Sequence, residues 1–454
     1  MPTRFDLFDE VDRAREEIVS LLQELVRADT TSNGVMPTGN ERLAADILAR
    51  KLAADGISSE ILESAPTRAS IIARLPGSKG APRLLYMSHL DVVPVDDPAK
   101  WLHPPFGAEI HEGRVWGRGA ADCKGLVAAE AMTLILLKRA GVRFQGDLIF
   151  CAGADEESGG AYGWGWLAQH HPDKIMAEFA INESGGISLM TDQGPLYLFT
   201  VGEKGRLEIT ITVGGVSGHA SVPWLSDSSL YWASEAINRV KAYQPEIDTS
   251  AEVFKHLGHI GVEGAVTPAN VEAVLEKVNA SNPRFASALR ALSRMTIVPT
   301  IVHAGVKSNV IPDKATVVCD VRTLPHQDEA YVRREVEKAL EGIPDARVSI
   351  KYTAVPSASP FETEFAEKVK KTTEEAVGMK AAGWIPTISN GFTDSRLVRP
   401  LGIVTYDFSA LSPYANPELM GAHNANESFD IESLIIKTKH LIALAFETLE
   451  SASS

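Results

Sequence analysis

The sequence predicts an α/β fold: a main domain with a largely parallel central sheet flanked by helices, interrupted by an inserted α+β domain. Three observations predict it. Short apolar strands alternate with helices through the first part of the chain and again near its end, the pattern of βαβ units. Several of those strands run straight into acidic or His residues, as expected of a parallel sheet that carries a site at its carboxyl edge. Between them, Leu207-Glu-Ile-Thr-Ile-Thr-Val213 alternates with period two, which suits an antiparallel sheet covered on one face. At 454 residues the chain has more than one core's worth of material. The expected boundaries are 1–197 and 356–454 for the two parts of the main domain and 198–355 for the insertion.

The elements follow in order. Val11, Ile18, Leu21, Leu22, Leu25 and Val26 share one face, which predicts an amphipathic helix from about Asp6 to Arg27. A turn-rich stretch from Thr30 to Asn40 leads to a helix at about Glu41 to Asp55 and a short strand at Ser70 to Leu75. Leu84 to His89 reads as an apolar strand, Gly125 to Ala140 as an apolar helix, and Asp147 to Ala152 and Phe179 to Asn182 as two further strands. In the insertion, the strand Leu207 to Val213 is followed by a helix over Trp224 to Lys241, a strand Thr316 to Arg322, a helix Glu329 to Leu340 and a strand Val348 to Thr353. The stretch Asp248 to Pro299 has no clear period. From Pro360 come a helix to about Val377, a strand Ile403 to Phe408 and a last helix Ile431 to Leu449.

Composition excludes several classes. A net charge of -15 and a pI near 5.3 argue against nucleic acid or an anionic membrane as partner. The first residues lack the basic and apolar segments of a signal peptide, and no apolar stretch is long enough to span a bilayer, so a cytoplasmic protein is expected. Cys123, Cys151 and Cys319 are too few and scattered for a disulfide framework or a thiolate zinc site. Any metal here must be held by His and carboxylates.

Such a set is present. The glycine-punctuated loop Gly117-Arg-Gly-Ala-Ala-Asp-Cys-Lys-Gly125 presents Asp122 at the mouth of an apolar helix. Four further pieces read as its partners: His89-Leu-Asp91, Asp155-Glu-Glu-Ser158, Asn182-Glu-Ser184 and His423-Asn-Ala-Asn-Glu427. An Asp two residues after a His can receive the imidazole N–H and orient the ring for a metal. Paired carboxylates such as Glu156-Glu157 point in different directions, so one can bind metal while the other faces a water as general base. Each piece has a plainer reading, as a core His, a helix start or a surface acid, but their joint occurrence favours a hydrolytic site with two divalent ions. Oxygen and imidazole ligands without thiolate favour zinc, with cobalt or manganese as substitutes.

The five pieces, in this order, resemble the co-catalytic zinc amidohydrolases and metallopeptidases that include acetylornithine deacetylase, succinyl-diaminopimelate desuccinylase, aminoacylase and glutamate carboxypeptidase. The resemblance covers nearly the whole chain. It is strongest over Trp101 to Gly125, over Ala154-Asp-Glu-Glu-Ser-Gly-Gly160 and over Ser308-Asn-Val-Ile-Pro312. It implies that Asp122 bridges two zinc ions, with His89 and Glu183 completing one site and Glu157 and His423 the other. Glu156 would be the general base, taking a proton from the water between the metals and passing it to the leaving nitrogen, and Asp91 would orient His89. A cis peptide is implied after Asp122.

The resemblance also makes the insertion a lid and dimerisation domain. His219, in Gly215-Val-Ser-Gly-His-Ala-Ser221, would reach the partner subunit's site of a homodimer and stabilise the oxyanion. Asn309 and Arg322 would bind substrate, and Arg396 in Gly391-Phe-Thr-Asp-Ser-Arg396 is a second carboxylate-binding candidate. A Glu at position 183 points, within this group, to a deacylase acting on N-acyl amino acids. A dipeptidase or carboxypeptidase is the alternative, and a non-catalytic binding protein on this fold a remote one. Trp164, Trp166, Trp384 and the stretch 248–299 are candidates for an acyl pocket or for plain core.

Overall fold

In the computed structural model, which describes residues 2–36 and 38–450, the apolar run Leu84–His89 forms a fully buried strand in the middle of the larger sheet. Around it the strand order is Ser59–Ala65, Arg68–Leu75, Leu148–Gly153, Leu84–His89, Phe179–Asn182, Val404–Asp407, Gly194–Glu203. The four strands from Leu148–Gly153 to Val404–Asp407 are mutually parallel, with His89 beside Gly153 and Asp407 beside Asn182. Parallel neighbours need crossovers, and the helices Gly125–Arg139 and Trp164–His170 supply them. The carboxyl ends of these strands therefore lie together, and the segments that follow them carry the acidic and His residues.

The chain divides into two compact units. One comprises Met1–Val201, Ser359–Pro386 and Thr393–Ser454, the other Gly202–Ala358 with Thr387–Phe392. In the first, helix Gly125–Arg139 is buried along almost its whole length because it packs on Arg15–Arg27 and Ile431–Leu449 as well as on the sheet. The second holds a four-stranded antiparallel sheet in the order Thr296–Ala304, Lys314–Thr323, Gly205–Gly214, Arg347–Ala354. Its inward residues Leu207, Ile209, Ile211 and Val213 pack with Ala233 and Ala236 of helix Ser229–Ala242 and with Val332 and Val336 of helix Glu329–Ala339.

Several elements differ from the sequence-based expectation. The N-terminal helix is two, Arg4–Arg13 and Arg15–Arg27, because Ala14 leaves helical geometry at φ -85°, ψ 5°. The helix expected from Trp224 starts only at Ser229, after a short 3-10 turn at Pro223–Leu225. The unassigned stretch contains helices Val271–Ser281 and Pro283–Leu292, packed on one another. Lys204 anchors the second of them, its buried Nζ donating to the carbonyls of Ala291 at 2.5 Å and Arg294 at 2.9 Å. Trp164 is core, its Nε1 donating to the Ser88 carbonyl at 3.1 Å, and Trp384 stacks on Tyr197 with centroids 4.8 Å apart. Among the described residues no helix is long and apolar enough to cross a membrane.

Candidate metal centre

The loop after Trp116 delivers Asp122. Gly119, at φ 83°, makes the turn; a Cβ there would stand 2.4 Å from a Val92 methyl, so the position suits glycine alone. The Asp122–Cys123 peptide is cis, as the resemblance implies. The Asp122 carboxylate faces two imidazoles with different oxygens: Oδ1 is 3.1 Å from His89 Nε2, and Oδ2 is 3.2 Å from His423 Nε2. Each imidazole has a second carboxylate. His89 Nε2 lies 3.2 Å from Glu183 Oε2, and His423 Nε2 lies 2.9 Å from Glu157 Oε2.

These residues come from separate strand ends. His89 closes its strand, Glu183 follows Phe179–Asn182, and Glu156 and Glu157 open a short 3-10 turn after Leu148–Gly153. The turns around them are tight: Asp155, Ser184, His423 and Asn426 all take left-handed φ between 64° and 73°. Non-glycine residues adopt this region at a cost of about 1–3 kcal/mol each, and such positions cluster at functional sites. Buried Arg68 holds one turn, reaching Asp155 Oδ1 at 2.7 Å and Glu41 at 2.9 Å.

Asp91 stands somewhat differently from the expected orienting acid. His89 Nδ1 is 3.0 Å from the Asp91 backbone carbonyl and 3.5 Å from its carboxylate Oδ1. The two carboxylate oxygens instead accept the backbone N–H groups of Glu156 and Glu157, at 3.1 and 3.2 Å. With an acceptor at Nδ1, the His89 lone pair faces Asp122 and Glu183 through Nε2, the tautomer a metal ligand needs.

The electrostatics is that of crowded acids sharing few cations. Burial pushes Glu157 up to about 7, with Asp122 adding to the rise. Burial raises Glu156 well above the ordinary carboxylate range, and Glu183 and Asp394 push the same way. Hydrogen bonding to Asp122 and Glu157 lifts His423 to about 10. Among the described residues, Glu157 Oε1 is buried without a hydrogen-bond partner. Buried carboxylates held this close, with an oxygen left over, fit divalent metal, and the donor atoms of His89, Asp122 and Glu157 all lie within 4.8 Å of one another.

Of the residues singled out in the sequence, His89, Asp91, Asp122, Glu156, Glu157, Glu183 and His423 meet here, in the first unit. Arg396 belongs to the same unit and donates from Nη2 to the Gly159 carbonyl at 2.8 Å, two residues past Glu157. His219, Asn309 and Arg322 belong to the second unit. There a short ribbon pairs Gly218–His219 with Val310–Ile311, and the Ala220 N–H donates to Asn309 O at 3.2 Å, which brings His219 and Asn309 together. Arg322 pairs with Asp320 at 2.7 Å and donates to Asn390 O at 3.4 Å. Arg118, Glu41 and Arg68, which brace the site, carry no mark in the sequence pattern; Glu427 is marked only by its spacing from His423.

The fold and the cluster of His and carboxylate side chains, which could hold metal, fit a metal-dependent hydrolase. The model of peptidase family M20/M25/M40 matches residues 85–447, and the chain belongs to that family, whose enzymes cleave amide or peptide bonds. A probable succinyl-diaminopimelate desuccinylase of Staphylococcus aureus is 26% identical over 343 residues, 74% of this chain and 76% of its own length. The N-fatty-acyl-amino acid synthase/hydrolase PM20D1 of Homo sapiens is 27% identical over 389 residues, 82% of this chain and 74% of its own. The M20 family metallo-carboxypeptidase Sso-CP2 of Sulfolobus solfataricus shares the fold, with a TM-score of 0.70 at 19% identity over 95% of this chain and 99% of that one.

Proposed function

We propose that this protein is a two-zinc amidohydrolase that releases amino acids from N-acyl amino acids, working as a cytoplasmic homodimer. The observation that carries the reading is the division of Asp122 between two imidazoles, Oδ1 toward His89 and Oδ2 toward His423, each imidazole having its own second carboxylate. His89, Asp122 and Glu183 would hold one ion and Asp122, Glu157 and His423 the other. Bound zinc polarises a carbonyl and lowers the pKa of water, and cobalt or manganese can substitute for it.

The chain's own residues do the rest. Glu156, free of the ligand set and held through its backbone N–H by Asp91, takes a proton from the attacking water and delivers it to the leaving nitrogen. Asp91 fixes both the His89 ring and the Glu156-Glu157 turn. Asn309 and Arg322 bind substrate, Arg322 as a planar donor to a carboxylate, and Arg396 is a second carboxylate-binding candidate. His219 from the partner subunit donates to the oxyanion.

Glu at position 183 favours the deacylase over a dipeptidase or carboxypeptidase. The test is release of free amino acid from N-acetyl, N-succinyl and long-chain N-acyl amino acids beside the matching dipeptides, by zinc-loaded protein and after chelation. Turnover of the N-acyl compounds alone, lost on chelation and restored by zinc, supports the reading. Preference for dipeptides would make the protein an exopeptidase.

A further inference from the structure

Apart from the candidate metal centre, a second set of imidazole and carboxylate side chains converges on one point. His103 Nδ1 lies 3.1 Å and His111 Nε2 2.9 Å from the same oxygen of Glu109, Oε2. The two rings are stacked, with centroids 3.8 Å apart and planes 12° from parallel. The donor atoms of the three residues all lie within 4.8 Å of one another. Each side chain is at least partly open to solvent, so an ion can reach it.

The backbone builds this point. Glu109–His111 is a short strand paired with Arg114–Trp116, and Glu109 and His111, two residues apart, share one face of it. Trp116, opposite Glu109 in the register, steadies both imidazoles: its Nε1 donates to the His111 carbonyl at 3.1 Å, and its ring stands 5.0 Å from that of His103. His103 comes from the preceding loop, where Pro104 and Pro105 restrict the chain. That loop rests on the bracing of the candidate centre. Leu102 donates its N–H to Asn426 Oδ1 at 2.6 Å, and the Arg118 guanidinium lies 5.2 Å over the Trp101 ring.

An exposed His–Glu pair contributes little to stability and needs no third group. Two protonated rings stacked this closely would repel, whereas one divalent ion takes the lone pairs of two neutral imidazoles and a carboxylate oxygen together. The spacing agrees. Tetrahedral bonds of about 2.0–2.2 Å put neighbouring ligand atoms about 3.3–3.6 Å apart, so the cluster has to open by only about half an ångström.

We propose that His103, Glu109 and His111 form a further divalent-cation site, with water completing its shell, that clamps the Trp101–His103 loop to the hairpin. Two imidazoles and one carboxylate suit zinc or a neighbouring transition ion better than calcium or magnesium. The site shares no ligand with the candidate catalytic centre, and its occupancy does not depend on which amide is cleaved.

The test counts bound zinc by elemental analysis after dialysis of the full-length protein against zinc, in wild type, His111→Ala and Glu109→Ala. Each variant should carry one zinc per chain fewer than wild type and keep its hydrolytic activity, whatever number the catalytic centre holds. Added zinc should also raise the unfolding temperature of wild type further than that of either variant, because an ion bound only by the folded chain stabilises it. Equal zinc in all three proteins would overturn the proposal. So would a loss of zinc that takes the activity with it, since the cluster would then be a prop of the catalytic centre. Glu109→Gln keeps a hydrogen-bond acceptor for the rings and covers an alanine variant that fails to fold; it too should lack the one ion, and an unchanged count would again overturn the site.

Discussion

Glu427 holds the backbone on which Asp122 stands: its Oε1 accepts the N–H of Ala121 at 2.9 Å and of Asp122 at 3.0 Å, while Oε2 pairs with buried Arg118 at 2.6 Å. His423 lies four residues before Glu427, so one short segment supplies a proposed metal ligand and also sets the loop that carries Asp122.

Removing Glu427 should therefore damage stability and metal binding together. Glu427→Ala strands the Arg118 charge in the interior, and breaking a buried pair in this way costs about 3–5 kcal/mol, measurable by urea unfolding. Loss of a bracing partner should weaken zinc binding by about 10–100-fold. Pairing Glu427→Leu with Arg118→Met should restore much of the stability and none of the zinc affinity. Recovery of both would show that Glu427 serves folding alone.

Glu156 should separate chemistry from metal binding. Glu156→Ala is expected to keep its full zinc content, measured by elemental analysis, because Glu156 is outside the proposed ligand set. Hydrolysis should fall by about 10²–10⁴-fold, the usual contribution of a positioned acid–base group. A variant that loses zinc in proportion to activity would move Glu156 into the ligand shell.

A pH effect is expected far from the site, at the N-terminal helices. Arg139 grips Glu17 with two hydrogen bonds of 2.7 and 2.8 Å, and Lys51 adds a contact at 2.9 Å. Chiefly through Arg139, Glu17 is pulled down to about 2. Its folded value is below the unfolded one of about 4.3, so the folded state binds fewer protons in between. The stabilisation is thus present above the unfolded value and disappears as the pH falls toward 2. The pair is partly solvated and its effect small; Glu17→Gln should lower Tm by no more than about 3 °C at pH 7, with the gap closing on acidification. A gap that stays constant with pH would mean the pair acts by packing, not charge.

Much of the sheet and of the candidate metal centre is legible because both leave local marks. Leu84–His89, Phe179–Asn182 and Ile431–Leu449 are uninterrupted apolar or amphipathic runs, and their bounds match the structure. His89, Asp122, Glu157, Glu183 and His423 announce themselves by residue type next to strand ends and glycine turns. What braces them does not. Arg68 meets Glu41 and Asp155 across 27 and 87 residues, and Arg118 meets Glu427 across 309, so no short pattern links them. The helix Pro283–Leu292 did carry a signal, Asn282 followed by Pro283, and Asn282 caps it by accepting the Phe285 N–H at 3.0 Å. The surrounding short apolar patches obscured its period.

His219 offers the sharpest test of the proposed cooperation between subunits. Its Nδ1 accepts the Ser221 backbone N–H at 3.2 Å and lies 2.7 Å from Ser221 Oγ, so in the neutral ring the hydrogen sits on Nε2. An exposed N–H donor of fixed tautomer is what a developing oxyanion requires. His219→Ala should lower kcat by about 10²–10³-fold with zinc content and dimer mass unchanged, the cost of losing one such donor. The decisive step is to mix this variant with Glu156→Ala, each inactive alone. If His219 serves the partner's site, a mixed dimer holds one site with both an intact base and an intact His219, and activity reappears on subunit exchange. Mixtures that stay inactive after exchange, verified by mass, would place His219 in its own subunit's site.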